Sequence, residues 1–152
     1  MISQTIEYAL RAMSSLASLR GVASTSEAIA TATSIPRAYL SKVMRDLVRA
    51  ELVRSFRGPH GGFKLAREAD AITLLDIVNA VDPIRRAAGC PLEDPLHSGR
   101  CPLRRCLDDA VELMEDRLRS TSLGSVLSGL DRTRDHRTHK APPAPHRVKR
   151  SA

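Results

Sequence analysis

The chain is poor in aromatic residues, with two Phe, two Tyr and no Trp among 152 residues. Its core must therefore be aliphatic, built from Leu, Ile, Val, Ala and Met. No apolar run approaches the length of a transmembrane span, and the N-terminus lacks the charged, apolar and small-residue order of a signal peptide. We therefore expect a cytoplasmic protein with one domain, or one domain plus an appendage, and no membrane partner.

Cysteines are also few, and their odd number argues against a framework of structural disulfides in a reducing compartment. The sequence has no C-x-x-C pair and no glycine-rich phosphate loop. An enzyme, for example a thiol oxidoreductase using Cys101, is therefore the weaker hypothesis. We expect a protein without catalytic residues, and the three cysteines need another explanation.

Negative charge is scarce in one segment, residues 35–67, which holds eight Lys or Arg against two acids for a net +6. The overall charge of +7 is otherwise misleading, because residues 131–152 carry +5, residues 68–130 carry −4 and residues 1–34 balance to zero. The folded part is thus nearly neutral but strongly polarised. A compact basic segment of this kind favours nucleic acid as the partner.

Apolar residues recur at helical spacing in three stretches of the first third of the chain, which are residues 3–20, 27–33 and 36–50. Gly21 ends the first, and Ser24-x-x-Glu27 has the pattern of a capping box for the second. Pro36 lies in the first turn of the third, a favoured place for proline. The tight break at Ser34-Ile35 joins the last two helices, and this indicates a helix-turn-helix.

A basic β-hairpin is predicted directly after these helices. Residues 52–57 alternate as a strand, residues 58–62 (Gly-Pro-His-Gly-Gly) supply the turn, and residues 63–65 return. This order predicts a mainly α fold, a winged helix-turn-helix with a small β-hairpin wing. The second helix of such a motif lies in the major groove, and an arginine at a wing tip can enter the minor groove. The candidate DNA-binding residues are Arg37, Tyr39, Ser41, Lys42, Arg45, Arg57, Gly58, His60, Gly61 and Gly62.

The alternative for any basic helix is a solvated face without a ligand. A capped helix pair followed at once by a basic, glycine-tipped hairpin favours DNA instead, since context is what confirms a motif. Glycines would also let backbone amides approach phosphate closely. A protein-interaction module without DNA is the remaining alternative.

The rest of the chain predicts one more short helix, a loop and a long helix. Thr73-x-x-Asp76 caps a helix ending at Val81, and Pro102 opens a long helix with an apolar stripe from Leu103 to Leu118. Such a stripe must be buried, either against a second copy or back on the first helix. We expect three parts: residues 1–82 as the winged domain, 83–130 as a cysteine-containing loop with a dimerisation helix, and 131–152 as a disordered basic tail.

These residues together resemble the Rrf2 family (IscR/NsrR-like) of bacterial winged helix-turn-helix transcriptional regulators. The resemblance rests on Arg57-Gly58, Gly61-Gly62-Phe63, Leu65-Ala66-Arg67, Glu7-Tyr8-Ala9-Leu10-Arg11 and Ile72-Thr73-Leu74. It implies a repressor-type regulator that binds, as a homodimer, to a palindromic operator in double-stranded DNA. One departure is Ser34, where the family's turn often carries glycine.

The resemblance also implies a candidate iron–sulfur cluster, with two or four irons. Cluster-bearing members hold three cysteines in this region, and some add an acidic ligand from the first helix of the partner, so the implied ligands are Cys90, Cys101, Cys106 and Glu7. Thiolates suit such clusters, which report redox, nitric oxide or iron status. The C-x10-C-x4-C spacing departs from the family's usual pattern. A cluster-free thiol switch, or regulation independent of any ligand, stays open, and Cys106 could simply pack in the apolar stripe.

Overall fold

The computed structural model describes residues 3–59, 61–86 and 101–138. Within them lie six α-helices, two antiparallel strands and a single-turn 3-10 helix at Ala69–Ala71. In chain order the helices and strands are α1 (Gln4–Ser18), α2 (Ser26–Thr33), α3 (Arg37–Arg49), β1 (Val53–Phe56), β2 (Gly62–Leu65), α4 (Leu74–Val81), α5 (Pro102–Arg119) and α6 (Leu123–Thr138). The predicted mainly α fold with a β-hairpin wing is confirmed. Across the described residues, no helix is both long and apolar enough to cross a bilayer.

The start of α2 differs from the predicted capping box. Thr25, not Ser24, is the N-cap, and its hydroxyl oxygen accepts a hydrogen bond from the Ala28 amide at 3.2 Å. The two predicted partners are used elsewhere: Ser24 pairs with the wing through its backbone, and Glu27 forms an ion pair with α3. The sequence Ser-Thr-Ser offers three hydroxyls that could cap, and the tertiary pairing of Ser24 selects among them.

The turn between α2 and α3 adopts a backbone conformation that favours glycine, although this chain has Ser34 there. Ser34 has φ 55° and ψ 36°, in the left-handed region, and its amide donates to the Ala30 carbonyl. A residue with a Cβ adopts this conformation at a cost of roughly 1 kcal/mol. Pro36 follows as the N-cap of α3, one position before the predicted first turn. The helix-turn-helix therefore keeps its geometry with serine in the turn.

One aliphatic core joins the helices of the winged domain. Its largest fully buried side chains come from every helix except α5, and from the loops beside them: Met13, Leu16, Ile29, Leu40, Met44, Leu47, Leu52, Ile72, Ile77 and Leu123. Leu40, Val43 and Leu47 face this core, as predicted, and no polar side chain is buried among the described residues. The opposite face of α3 is thereby left in solvent.

The helix α6 was not predicted, and it belongs to this core. The Leu123 amide donates to the Ile72 carbonyl at 2.8 Å, the Leu74 amide donates to the Thr121 carbonyl at 2.9 Å, and Leu123 itself is 1% exposed. Thr73 beside this contact closes the predicted capping box with Asp76. The predicted disorder from residue 131 is wrong at its start, because α6 continues to Thr138. The remaining residues, 139–152, lie outside the described part of the chain.

The long helix α5 packs against α4 but has no buried residue. Its predicted apolar stripe is exposed in the single chain, with Leu103, Leu107 and Met114 between 40% and 46% accessible. Arg86 donates to the Glu115 carboxylate at 3.0 Å, and this bond together with the charge of Glu115 raises the pKa of Arg86 above its ordinary value. This contact fixes the segment after α4 to the middle of α5.

Candidate nucleic-acid interface

The exposed face of α3 carries all five residues that the sequence predicts on this helix. Because α3 is amphipathic, burial of Leu40, Val43 and Leu47 turns the other face outward. On that face lie Arg37, Tyr39, Ser41, Lys42 and Arg45. The structure thus brings the predicted base-reading and phosphate-binding side chains together on one surface.

Two of these side chains already have partners within the domain. The Arg37 guanidinium forms an ion pair through Nη2 with the Glu27 carboxylate of α2. The Ser41 hydroxyl donates to the Arg37 carbonyl at 3.0 Å, one turn earlier in α3. Glu27 was not among the predicted site residues, because the capping-box pattern assigned its carboxylate to the backbone.

Tyr39 is positioned by α1. Its ring lies 5.9 Å from the ring of Tyr8 in an edge-to-face arrangement, and Gln4 Nε2 donates to the Tyr8 hydroxyl at 3.0 Å. Edge-to-face pairs of this kind are favourable, so Tyr39 has a defined position although 55% of it is exposed. Glu7, the implied cluster ligand on the same helix, is exposed and forms an ion pair with Arg11.

The wing adds cations that the site prediction omitted. In the β1–β2 register Arg54 lies opposite Lys64, so the two side chains share the outer face of the hairpin. Lys64 Nζ lies 4.8 Å from the centre of the Phe56 ring on that face. Strand alternation could have identified both residues, because Val53 and Leu65 are apolar neighbours that must face inward.

The wing is attached to the loop before α2 by a two-hydrogen-bond bridge. The Ser24 amide donates to the Phe63 carbonyl at 2.9 Å, and the Phe63 amide donates to the Ser24 carbonyl at 2.8 Å. Gly62 stands beside this bridge with φ 145°, and a Cβ there would lie 2.5 Å from the Ser24 carbonyl oxygen. Close packing within the protein therefore accounts for this glycine.

The tip of the wing is a turn in which the Gly61 amide donates to the Gly58 carbonyl at 2.9 Å. Gly58 has φ 105°, and a Cβ there would meet no atom within 4 Å. A Cβ at Gly61 would lie 2.6 Å from the Phe56 carbonyl oxygen. Arg57 is exposed at the start of this turn. The predicted His60 lies outside the described residues.

Most cations on this surface are unneutralised. Within the described ranges, Lys42, Arg45, Arg54 and Arg57 form no ion pair, whereas Arg37 pairs with Glu27 and Arg49 lies 3.8 Å from Asp46. Adjacent unpaired cations repel each other and lower the stability of the domain slightly, unless a polyanion neutralises them. The surface formed by the exposed face of α3 and the outer face and tip of the wing is hereafter called the basic surface.

Two of the three cysteines, Cys101 and Cys106, lie at the start of α5. Cys101 is the N-cap of α5 and is buried, whereas Cys106 is exposed and not packed into the apolar core. Both line one surface pocket with Arg104, Arg105 and Asp108. Cys90 lies outside the described residues. In the part of the chain that is described, no three side chains of metal-binding type come together.

The fold and the basic surface define a winged helix-turn-helix protein of the DNA-binding class. The sequence profile of the Rrf2 family, described as an iron-dependent transcriptional regulator, matches residues 2–129. The chain belongs to the Rrf2 family of transcriptional regulators. The predicted family is thereby confirmed, and the class of function that the sequence predicts is the one described for this family.

Known proteins similar to this chain agree with that membership. An HTH-type transcriptional regulator of Aquifex aeolicus is 45% identical over 51% of this chain. The alignments span 54% of that protein and 65% of a second curated relative. Among solved structures, T. potens IscR has a TM-score of 0.71 at 26% identity, covering 88% of this chain and 90% of its own. CymR, the global cysteine regulator of B. subtilis, has a TM-score of 0.65 at 32% identity, covering 84% and 96%.

Proposed function

We propose that this protein binds a palindromic operator as a homodimer and represses transcription from it in the cytoplasm. The observation that carries the proposal is the basic surface, where Lys42, Arg45, Arg54 and Arg57 have no acidic partner within the described residues. In this arrangement α3 enters the major groove with its N-terminal residues toward the base edges. The wing follows the phosphate backbone, and Arg57 at its tip enters the minor groove.

Each candidate residue then has a role that follows from its chemistry. Arg37, Ser41 and Lys42 reach base edges or phosphate, Tyr39 packs between Tyr8 and the DNA, and Arg45 contacts phosphate. On the wing, Gly58, Gly61 and Gly62 shape the turn that carries Arg57 and the predicted His60. Arg54 and Lys64 add phosphate contacts from the outer face of the hairpin.

The homodimer is supported by the exposed stripe on α5. Leu103, Leu107 and Met114 lie along one side of a helix that has no buried residue. Exposed apolar surface of this extent is costly in water, and a second copy of the same helix can cover it. Since α6, rather than α5, returns to α1, the alternative in which α5 folds back on the first helix has less support. Two-fold symmetry in the protein matches a palindrome in DNA.

For the sensing chemistry, the proposal is limited to the cysteines. Cys101 and Cys106 line one pocket together with Arg104 and Arg105, and cysteine sulfurs are the usual ligands of iron–sulfur clusters. The predicted ligands of an iron–sulfur cluster are Cys90, Cys101, Cys106 and the partner's Glu7.

The test is a selection of duplexes from a random pool, followed by titration with salt. The proposal predicts enrichment of one palindromic sequence, and affinity that falls steeply as salt rises, because each phosphate contact releases counterions. Enrichment of no sequence, with equal affinity for all duplexes, would contradict it. Removing residues 139–152 from the protein identifies any contribution of the basic tail to the affinity for unrelated duplexes.

A further inference from the structure

We infer that Glu27 is a specificity-determining residue of the basic surface, which acts by controlling what Arg37 can bind. The inference rests on the DNA-binding function proposed above. Glu27 lies in the first turn of α2, and Arg37 is the first residue of α3. Their ion pair joins the two helices of the helix-turn-helix across its turn.

The ion pair is located where DNA would bind. Both side chains are 72% exposed, so the pair lies on the surface and not within the core. Exposed pairs contribute little to folding stability. The ion pair between Glu27 and Arg37 therefore acts on DNA binding more than on folding stability. Arg37 uses Nη2 for Glu27, which leaves Nη1 and Nε without a partner inside the described ranges.

A carboxylate beside an arginine changes which acceptors that arginine can approach. If Arg37 moves toward a phosphate, the Glu27 carboxylate approaches the same phosphate, and the two negative charges repel. The edge of a guanine offers neutral acceptors, O6 and N7, so the pair can approach it without that repulsion. Phosphates are present in DNA of every sequence, whereas a guanine lies opposite Arg37 in only some sequences. Glu27 thus lowers the affinity for DNA in general more than the affinity for the operator.

The same carboxylate also fixes the position of the Arg37 side chain. A free arginine loses much rotamer freedom when it binds, whereas one held by an ion pair loses less. Glu27 is a positioning residue in this respect. Lys42 and Arg45 on the same face have no such partner among the described side chains, and they remain available for phosphate.

The experiment compares Glu27→Gln with the wild type on two duplexes: the sequence that the wild type enriches from a random pool, and a scrambled duplex of the same composition. We expect Glu27→Gln to bind the scrambled duplex more tightly. The slope of log affinity against log salt concentration should steepen by about 0.9 in this variant, because one more phosphate contact forms. This corresponds to about 3.5-fold more affinity lost between 50 and 200 mM salt. The ratio of the two affinities should fall about fivefold, the lower end of what a bidentate base contact discriminates.

The matched control is Glu68→Gln, which removes the same charge from an exposed side chain beside the 3-10 helix that packs on α6. It should leave the slope and the affinity ratio unchanged. The effect of Glu27→Gln should also disappear when Arg37→Ala is already present. An unchanged slope and ratio in Glu27→Gln, an equal effect of Glu68→Gln, or an undiminished effect without Arg37 would each overturn the inference. Failure of the wild type to enrich any sequence would instead contradict the proposed function.

Discussion

The two wing glycines with positive φ offer a matched test of how the hairpin is held. Replacing Gly58 by Ala adds a methyl group that meets no atom within 4 Å, so only backbone strain results. Replacing Gly62 by Ala adds one that would lie 2.5 Å from the Ser24 carbonyl oxygen, beside the bridge to Phe63. The two variants thus separate strain from steric conflict.

The expected magnitudes follow from these contacts. A residue with a side chain in a sparsely populated region costs about 1–3 kcal/mol, and both variants incur this. In Gly62→Ala the methyl group must also separate the two hydrogen bonds between Ser24 and Phe63, at about 0.5–1.5 kcal/mol each. We therefore expect the free energy of unfolding to fall by about 2 kcal/mol more in Gly62→Ala than in Gly58→Ala. In a domain of this size that is a difference of roughly 6–10 °C in Tm.

The assay is urea unfolding followed by circular dichroism, at matched protein concentration because a dimer's stability depends on it. Failure of Gly62→Ala to fold at 25 °C, while Gly58→Ala folds, agrees with the account. Equal destabilisation of the two variants, or a larger loss in Gly58→Ala, would refute the reasoning. The Ser24–Phe63 bridge would then contribute nothing to the attachment of the wing.

Four further predictions concern the turn, the cap, the helix α5 and the cysteines. Ser34→Gly relieves the left-handed serine and should raise the free energy of unfolding by about 0.5–1 kcal/mol, and a decrease in urea unfolding would contradict the strain argument. Thr73→Ala removes the capping box of α4 and should cost about 1 kcal/mol in the same assay, with the exposed Thr31→Ala as control. Leu107→Asp with Met114→Asp should halve the particle mass in light scattering, and an unchanged mass would exclude α5 as the dimer seam. Protein purified without oxygen should contain iron, sulfide and a visible chromophore if Cys90, Cys101 and Cys106 hold a cluster. Colourless, iron-free protein would exclude the cluster and favour a thiol switch or regulation without a ligand.

The recognition helix and the wing could be predicted from the sequence because their signals are local. The apolar period of α3 determines which face is buried, and the Gly-Pro-x-Gly-Gly turn determines where β1 ends. The register of Arg54 with Lys64 then follows from strand alternation. The capping box of α4 can also be predicted from the sequence, since Thr73 and Asp76 have the required spacing and Thr73 is the one N-cap candidate there.

The parts that the sequence did not predict depend on contacts between distant residues. Ser24 pairs with Phe63, so the capping role passes to Thr25, and Glu27 becomes free to bind Arg37. Leu123 enters the core through a backbone hydrogen bond to Ile72. The sequence pattern near residue 123 does not predict this contact. The polar, basic composition after Leu130 suggested disorder, but this composition is compatible with a surface helix that is anchored at its other end.

The central claim, that the basic surface binds DNA in a sequence-specific way, is tested most directly with Arg57→Ala. This change removes an exposed cation from the wing tip, and Arg119→Ala removes the same charge from the end of α5. In a gel-shift titration on the selected palindrome, we expect Arg57→Ala to weaken binding at least about fivefold and Arg119→Ala to leave it unchanged. Equal affinity of the wild type and Arg57→Ala, with both proteins folded, would contradict the account.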